Sequence, residues 1–293
     1  MSLGAAGLSP LGDKNINPII TAADLILLVG YDPIEMRSGW RNLWDCSENR
    51  VIEILIAPEY SYMHKSSISF VCDIGEGIRA LSEGVDTKTT WKNGELTEML
   101  NRHATIYGQK QEWGPGAITE TVRELVPRDT IITMDSGAHR ILISQAWPTY
   151  VPRSALQSSA FCTMGCALPL ATGAKLADPS RVVVAFMGDG GLEMVLGELI
   201  TLRDLALPVI VIVFVDASLA LIEKKQREMQ YKNAGVDMNE TDFKSIALAT
   251  GGNGFVVQTR AQLTDALNIA LNTSEKFTLI SCKIPRGSYD EII

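Results

Sequence analysis

The stretch Val182-Val183-Val184-Ala185-Phe186-Met187-Gly188-Asp189-Gly190-Gly191 constrains this chain more than any other. Its apolar run has the length of a parallel strand buried on both faces, and it breaks at an acid set among glycines. A strand of that kind feeds a ligand loop. Gly188, Gly190 and Gly191 carry no side chain, so their backbone N–H groups can approach an anion, while Asp189 supplies the hard oxygen that Mg²⁺ or Ca²⁺ prefers. The loop suits a phosphate and its metal together. One predicted helix later, Val209-Ile210-Val211-Ile212-Val213-Phe214-Val215 reads as a second strand and ends in Asp216, 27 residues after Asp189. That separation accommodates a right-handed crossover between adjacent parallel strands. Both carboxylates then fall at one sheet edge, where open α/β folds bind ligands.

The same alternation extends through the second half of the chain. Helices are predicted over 117–126, 138–146, 165–177, 193–205, 219–230, 242–250 and 261–272, with strands at Thr130 to Met134, 182–187, 209–215, Gly254 to Val257 and Phe277 to Lys283. Alternation of this kind predicts an α/β fold with a doubly wound parallel sheet. Ahead of it, three apolar runs, Ala23 to Gly30, Val51 to Ile56 and Ser67 to Cys72, predict a small, partial α/β domain whose first strand is buried. Residues 1 to about 20 lack periodicity and read as loops or a frayed start. The expected division is a partial domain over 1–85, a linker over 86–116, marked by Asn93-Gly94 and Trp113-Gly114-Pro115-Gly116, and a ligand-binding domain over 117–293.

Gly75-Glu76-Gly77-Ile78-Arg79-Ala80 matches the spacing of a dinucleotide fingerprint, but no second strand ending in an acid follows about 20 residues on. A helix start explains it better. With 293 residues, 46% of them hydrophobic, the chain can bury an ample core. A net charge of −8 leaves no basic surplus to attract a nucleic acid or an anionic membrane, and no apolar run reaches the roughly 18 residues of a membrane span. Five cysteines at scattered spacings predict a reducing, cytoplasmic setting, and Cys162 with Cys166 lacks the second Cys/His pair of a zinc site.

Three segments, in order, carry a resemblance. Met134-Asp135-Ser136-Gly137-Ala138-His139, Thr163-Met164-Gly165-Cys166-Ala167-Leu168-Pro169 and Gly188-Asp189-Gly190-Gly191 resemble the thiamine-diphosphate signatures of the acetolactate synthase and pyruvate oxidase group. Gly30-Tyr31-Asp32-Pro33-Ile34-Glu35 and Ala220-Leu221-Ile222-Glu223-Lys224-Lys225-Gln226 narrow the likeness toward acetolactate synthases. The likeness covers nearly all of the chain and only the later half of such an enzyme.

The resemblance implies thiamine diphosphate and Mg²⁺ as cofactors. Asp189 would ligate Mg²⁺ with Asp216 and the backbone carbonyl of Ser218, while Gly188, Gly190 and Gly191 would line the diphosphate. At the second ligand the family more often has asparagine, and glycine is common at the position of Ser218. The extra charge of Asp216 beside a diphosphate should weaken binding unless a donor such as His139 or Lys224 compensates. Met164 would prop the cofactor in its bent form, and the backbone carbonyl of Cys162 would accept from its exocyclic amine. Ser136, Gly137 and Leu219 complete the implied binding set, with His139 at phosphate or substrate. His64 and His103 are expected to be solvated.

In the resembled family the glutamate that works on the pyrimidine ring comes from an earlier domain, often a neighbouring subunit's, and no segment here resembles that domain. Glu193 and Glu198 read as helix-face or cap residues. The implied function is the diphosphate-binding part of a 2-oxo acid decarboxylase or carboligase, at least dimeric, completed by a pyrimidine-domain partner chain or a preceding region and inactive alone. A non-catalytic scaffold or regulatory subunit of the same fold is the alternative. A nucleotide-phosphate binder is disfavoured, because Leu192 and Glu193 follow the glycines where a Walker lysine would stand.

Overall fold

The computed structural model describes residues 9–32, 43–48, 50–58, 64–87, 91–107, 111–159 and 161–293. The chain divides into two compact units, one ending at His103 and one running from Ala104 to Ile293. The first begins with helix α1 (Pro10–Thr21), where loops were expected. Ser9 caps it by accepting from the Gly12 N–H at 3.1 Å, and Pro10 occupies the first turn, where its missing N–H is harmless. Ser9 and Pro10, in a stretch that reads as loop, are thus helix-start signals. Buried Asn15 fastens the helix by donating to the Met99 carbonyl at 3.2 Å.

Strands β1 (Leu25–Val29), β2 (Arg50–Leu55) and β3 (Ile68–Val71) form a parallel sheet in the order β1-β2-β3. Contrary to the expected buried first strand, Leu25, Leu27 and Val29 of this edge strand are exposed, and only Leu28 is buried. Helix α2 (Ile74–Ser82) contains the whole fingerprint-like segment. Asp73 caps the Glu76 N–H at 3.0 Å, and a Cβ on Gly77 would meet Ile54 and the Cys72 sulfur at 2.9 Å, so this glycine lets the helix lie against β2. His64, expected in solvent, bonds the Tyr31 hydroxyl at 2.7 Å and packs beside Trp44. Pro33, Ile34 and Glu35 lie outside the described residues. Helix α3 (Glu95–Ile106) falls within the 86–116 stretch, and its His103 is partly buried rather than solvated.

The second unit is the predicted α/β layer structure. It comprises α4 (Pro115–Leu125), β4 (Ile131–Met134), α5 (Ala138–Ala146), β5 (Ala155–Gln157), α6 (Ala167–Ala177), β6 (Val183–Gly188), α7 (Asp189–Glu193), α8 (Glu198–Asp204), β7 (Val209–Val215), α9 (Ala220–Glu228), α10 (Phe243–Ala249), β8 (Asn253–Val257), α11 (Arg260–Leu271) and β9 (Thr278–Lys283). The sheet is parallel throughout, in the order β5-β4-β6-β7-β9-β8. Alternate residues of β6, β7 and β9 pack with Leu168 and Ala171 of α6, Leu199 and Leu202 of α8, and Phe243 of α10. Helices α5 and α11 contact the sheet too, joined by α4. Every residue of β6 before its glycine end is apolar and buried, as is every residue of β7.

Two local readings need correction. The predicted helix over 193–205 is shortened to α8, with turns over 194–197, and the glycine loop ahead of it forms a short helix of its own: α7 starts at Asp189, directly off the strand, and ends at Glu193. The short strand β5 was not read, its three residues being too few for a periodic signal. Among the described residues no helix is long and apolar enough to cross a membrane.

Candidate functional site

The pairing of Gly188 with Phe214 sets the ends of β6 and β7 side by side. Asp189 and Asp216 therefore line one cavity at the carboxyl edge of the sheet. Asp189, buried, accepts from three backbone N–H groups: Gly190 at 2.8 Å on Oδ1, and Ala217 at 2.9 Å and Asp216 at 3.3 Å on Oδ2. Burial nevertheless pushes its carboxyl above the ordinary aspartate range, with the three N–H groups opposing. Asp216 is pushed up to about 6, first by burial and then by the neighbouring Asp189 charge. Two acids that repel in a half-dry site are chemically poised for a cation.

The loop after β7 is fixed from the far side. Leu219 donates to the Val236 carbonyl at 2.9 Å and Met238 to the Ala217 carbonyl at 3.1 Å, with Ser218 bridged to Asp237. Ala217 sits at φ 53°, in the left-handed region, as the chain turns from strand to helix α9. Within this rigid loop the buried Ser218 hydroxyl and Asp216 Oδ2 have no hydrogen-bond partner. Leaving buried acceptors and donors unpaired costs about 1–3 kcal/mol apiece. A group that paired with them would recover that cost.

On the β4 side, Asp135 is fully buried and joins the signature segments physically. Its Oδ1 bonds His139 Nε2 at 2.8 Å, and its Oδ2 accepts the Gly165 N–H at 2.7 Å. A Cβ on Gly191 would come within 2.0 Å of the same Oδ2, so only glycine allows α7 to approach this carboxylate. Gly137 has the same logic toward the His139 ring, 2.6 Å from a Cβ built there. The ring stacks on Phe214 at 5.7 Å. With Nε2–H donated to Asp135, neutral His139 keeps Nδ1 as an acceptor.

Of the residues singled out in the sequence, Ser136, Gly137, His139, Met164, Gly188, Asp189, Gly190, Gly191, Asp216, Ser218 and Leu219 all line this one cavity. Cys162 does not; its sulfur points to the Ser159 carbonyl at 3.6 Å. Lys224, a candidate counter-charge for Asp216, pairs with Glu228 at 2.6 Å instead, as i,i+4 helical spacing favours. The Gly190 N–H, expected to be free for an anion, is already held by Asp189, so an incoming oxygen competes for it. Glu193 accepts from Thr241. Tyr289, Ala138 and Phe214 line the cavity and were not named as site residues. Phe214 could have been found from its place at the strand end, whereas nothing local marks Tyr289.

The family model described as "Thiamine pyrophosphate enzyme, C-terminal TPP binding domain" matches residues 135–282, from the buried Asp135 to the last strand. The chain belongs to the thiamine pyrophosphate enzymes. Within that family it is similar to the catabolic acetolactate synthase of Raoultella terrigena, 27% identical over 281 residues that make up 92% of this chain and 49% of the relative. It is 26% identical to the acetolactate synthase of Bacillus subtilis (strain 168), over 92% of this chain and 50% of that one. A pyruvate oxidase of Lactiplantibacillus plantarum is 28% identical over 92% of this chain and 45% of its own length. The chain thus spans about half the length of the curated relatives it matches. The matched residues 135–282 include all the cavity-lining residues from Ser136 to Ile222.

Proposed function

We propose that the cavity between β6, β7 and α5 holds the diphosphate end of thiamine diphosphate through Mg²⁺, as part of a 2-oxo acid decarboxylase or carboligase resembling acetolactate synthase. The observation that carries this reading is the convergence of Asp189 and Asp216, with the Asp216 Oδ2 unpartnered, at adjacent strand ends. Two carboxylates and a backbone carbonyl at Ser218 make an oxygen-only set, the kind a hard dication takes while keeping some of its waters. Among the described residues no cluster of three His, Cys, Asp or Glu side chains forms a metal site, which fits a cation shared with a phosphate rather than caged by protein.

Bound there, the cofactor supplies the electron sink for decarboxylation. The residues of this chain bind and orient it. A Cβ on Gly190 would lie 3.2 to 3.5 Å from the side-chain ends of Leu219, Met238 and Met164, a tight fit in which glycine lets the backbone stand close to a ligand. Met164 stands where it can support the organic portion, and His139, oriented by its bond to Asp135, lines the same cavity. The pyrimidine side of the site we assign to a partner chain or a preceding region, and turnover to that assembly, with a small 2-oxo acid as substrate and a dimer or higher oligomer as its form. Calorimetric titration with thiamine diphosphate tests the reading: heat of binding should appear with Mg²⁺ and vanish with a chelator. Binding that ignores the metal would overturn it. Adding a pyrimidine-side partner and pyruvate should then release CO₂, and sustained silence from a verified complex would identify a non-catalytic scaffold.

A further inference from the structure

Tyr289 reaches the cavity from the C-terminal tail. Beyond β9 the Ile284 N–H donates to the Val215 carbonyl at 3.0 Å, which carries the tail alongside the strand that ends in Asp216. The tail is then strapped down on both sides of Tyr289. Arg286 donates to Glu223 Oε2 at 2.9 Å and to Asp237 at 2.5 Å, and Arg227 spans Glu223 Oε1 at 2.8 Å and both oxygens of Asp290 at 2.6 Å. Glu223, at the centre of this strap, is 7% exposed, and Asp237 belongs to the segment that bridges Ser218. One network therefore holds the tail, helix α9 and the metal-side loop together.

The strap delivers a side chain that is 4% exposed, lines the cavity, and has a hydroxyl with no hydrogen-bond partner. Buried tyrosine hydroxyls ordinarily find a partner, and phenylalanine would fill the same space without leaving a donor stranded. The charges of Asp216 and Asp189 both bear on this phenol and, after burial itself, hold its pKa well above the usual range, so it is a donor at every physiological pH. Asp216 Oδ2, Ser218 Oγ and the Tyr289 hydroxyl are thus three buried atoms without a hydrogen-bond partner on residues that line one cavity.

We propose that Tyr289 is a binding residue of this cavity, its hydroxyl donating a hydrogen bond to an oxygen on the divalent cation held at Asp189 and Asp216. The inference rests on the cofactor reading above, and it assigns the C-terminal tail a part in holding the metal. A donor aimed at a metal-bound oxygen polarises that oxygen and fixes the cation at the Asp216 end. It also ties occupancy of the site to an intact strap.

The test is Tyr289→Phe in the full chain, titrated with thiamine diphosphate at saturating Mg²⁺ and with Mg²⁺ at saturating thiamine diphosphate. Affinity should fall about tenfold in both titrations, the range expected for a hydrogen bond to a charge-bearing group. The melting temperature without ligand should hold or rise, because the variant removes a stranded donor, while the rise on adding cofactor and Mg²⁺ should shrink. Unchanged affinity in Tyr289→Phe overturns the inference and leaves the cofactor reading intact. A lower ligand-free melting temperature with a full ligand-induced rise also overturns it, marking Tyr289 as packing alone. If the unaltered chain takes up no thiamine diphosphate with Mg²⁺, the cofactor reading itself fails, and this assignment with it.

Discussion

The Oδ2 atom of Asp189 accepts the backbone N–H of Ala217 at 2.9 Å, so the acid at the end of one strand holds the loop that follows the next. The same carboxylate is therefore a candidate metal ligand and a structural staple, and the two roles separate by substitution. Asp189→Asn removes the charge and can keep an oxygen for the Ala217 and Asp216 N–H groups, but its NH2 then faces the Gly190 N–H that the carboxylate accepts. Relief of the buried charge and loss of that one acceptor oppose each other, so the ligand-free melting temperature should change little. Mg²⁺-dependent binding of thiamine diphosphate should weaken by more than about tenfold, which is 1.4 kcal/mol, since a hard cation loses its anionic ligand. Calorimetry and thermal melts on the one variant check both halves.

Asp216 gives a pH dependence with a definite sign. Its carboxyl is raised in the folded chain to about 6, so the folded state holds this proton more tightly than the unfolded state does. The stabilisation is complete below the ordinary aspartate value and is lost as pH rises toward and through 6. A rise of that size corresponds to about 3 kcal/mol at most. Metal-free protein should lose up to that much stability between about pH 4 and pH 7 on this group's account, and Asp216→Asn should flatten that part of the profile. Mg²⁺ added at pH 7 should restore stability to the unaltered chain and do less for the variant. Denaturation curves across the pH range, with and without chelator, supply the measurement.

The charge of Asp216 also bears on affinity. A diphosphate brings negative charge to a site that already holds two carboxylates, and the candidate counter-charge, Lys224, is committed to Glu228. Asp216→Asn removes one repulsive charge and keeps an oxygen for the metal. At saturating Mg²⁺ its affinity for thiamine diphosphate should match or exceed that of the unaltered chain, read by the same titration. Abolished Mg²⁺-dependent binding would refute this.

The layer order and the strand ends were legible because buried parallel strands write themselves as unbroken apolar runs, as in Val209 to Val215, and because such strands must deliver their following residues to one edge. That reasoning reached Asp189, Asp216 and their glycines. It failed where the determining contact is distant in sequence. Helix α1 carries a local start signal in Ser9 and Pro10, but it is fastened by the reach of Asn15 to Met99, which no local pattern announces. Lys224 failed for the opposite reason: its partner Glu228 is local, one helical turn away on the same helix. Tyr289 depends on a strap of arginines running from the tail to α9 and the segment at Asp237, visible only once the chain is folded. Apolar runs also misled at β1, where Leu25 and Leu27 look outward.

Two glycines with opposite surroundings test the packing around the site. A Cβ on Gly191 would meet the Asp135 carboxylate at 2.0 Å, and Asp135 is held by both His139 and the Gly165 N–H, so it has no direction in which to yield. Gly191→Ala should destabilise the fold by about 1–3 kcal/mol, the usual range for overpacking, and should disturb His139 in the process. Gly173, within helix α6 and exposed, has nothing within 4 Å of its Cβ position. There alanine meets no obstacle and restricts the unfolded chain, so Gly173→Ala should stabilise by about 0.5–1 kcal/mol. Equilibrium denaturation of both variants distinguishes a general preference for alanine from the specific requirement at the carboxylate. Opposite signs are expected, because the same added methyl group collides with a pinned buried acid in one case and replaces an entropic cost in the other.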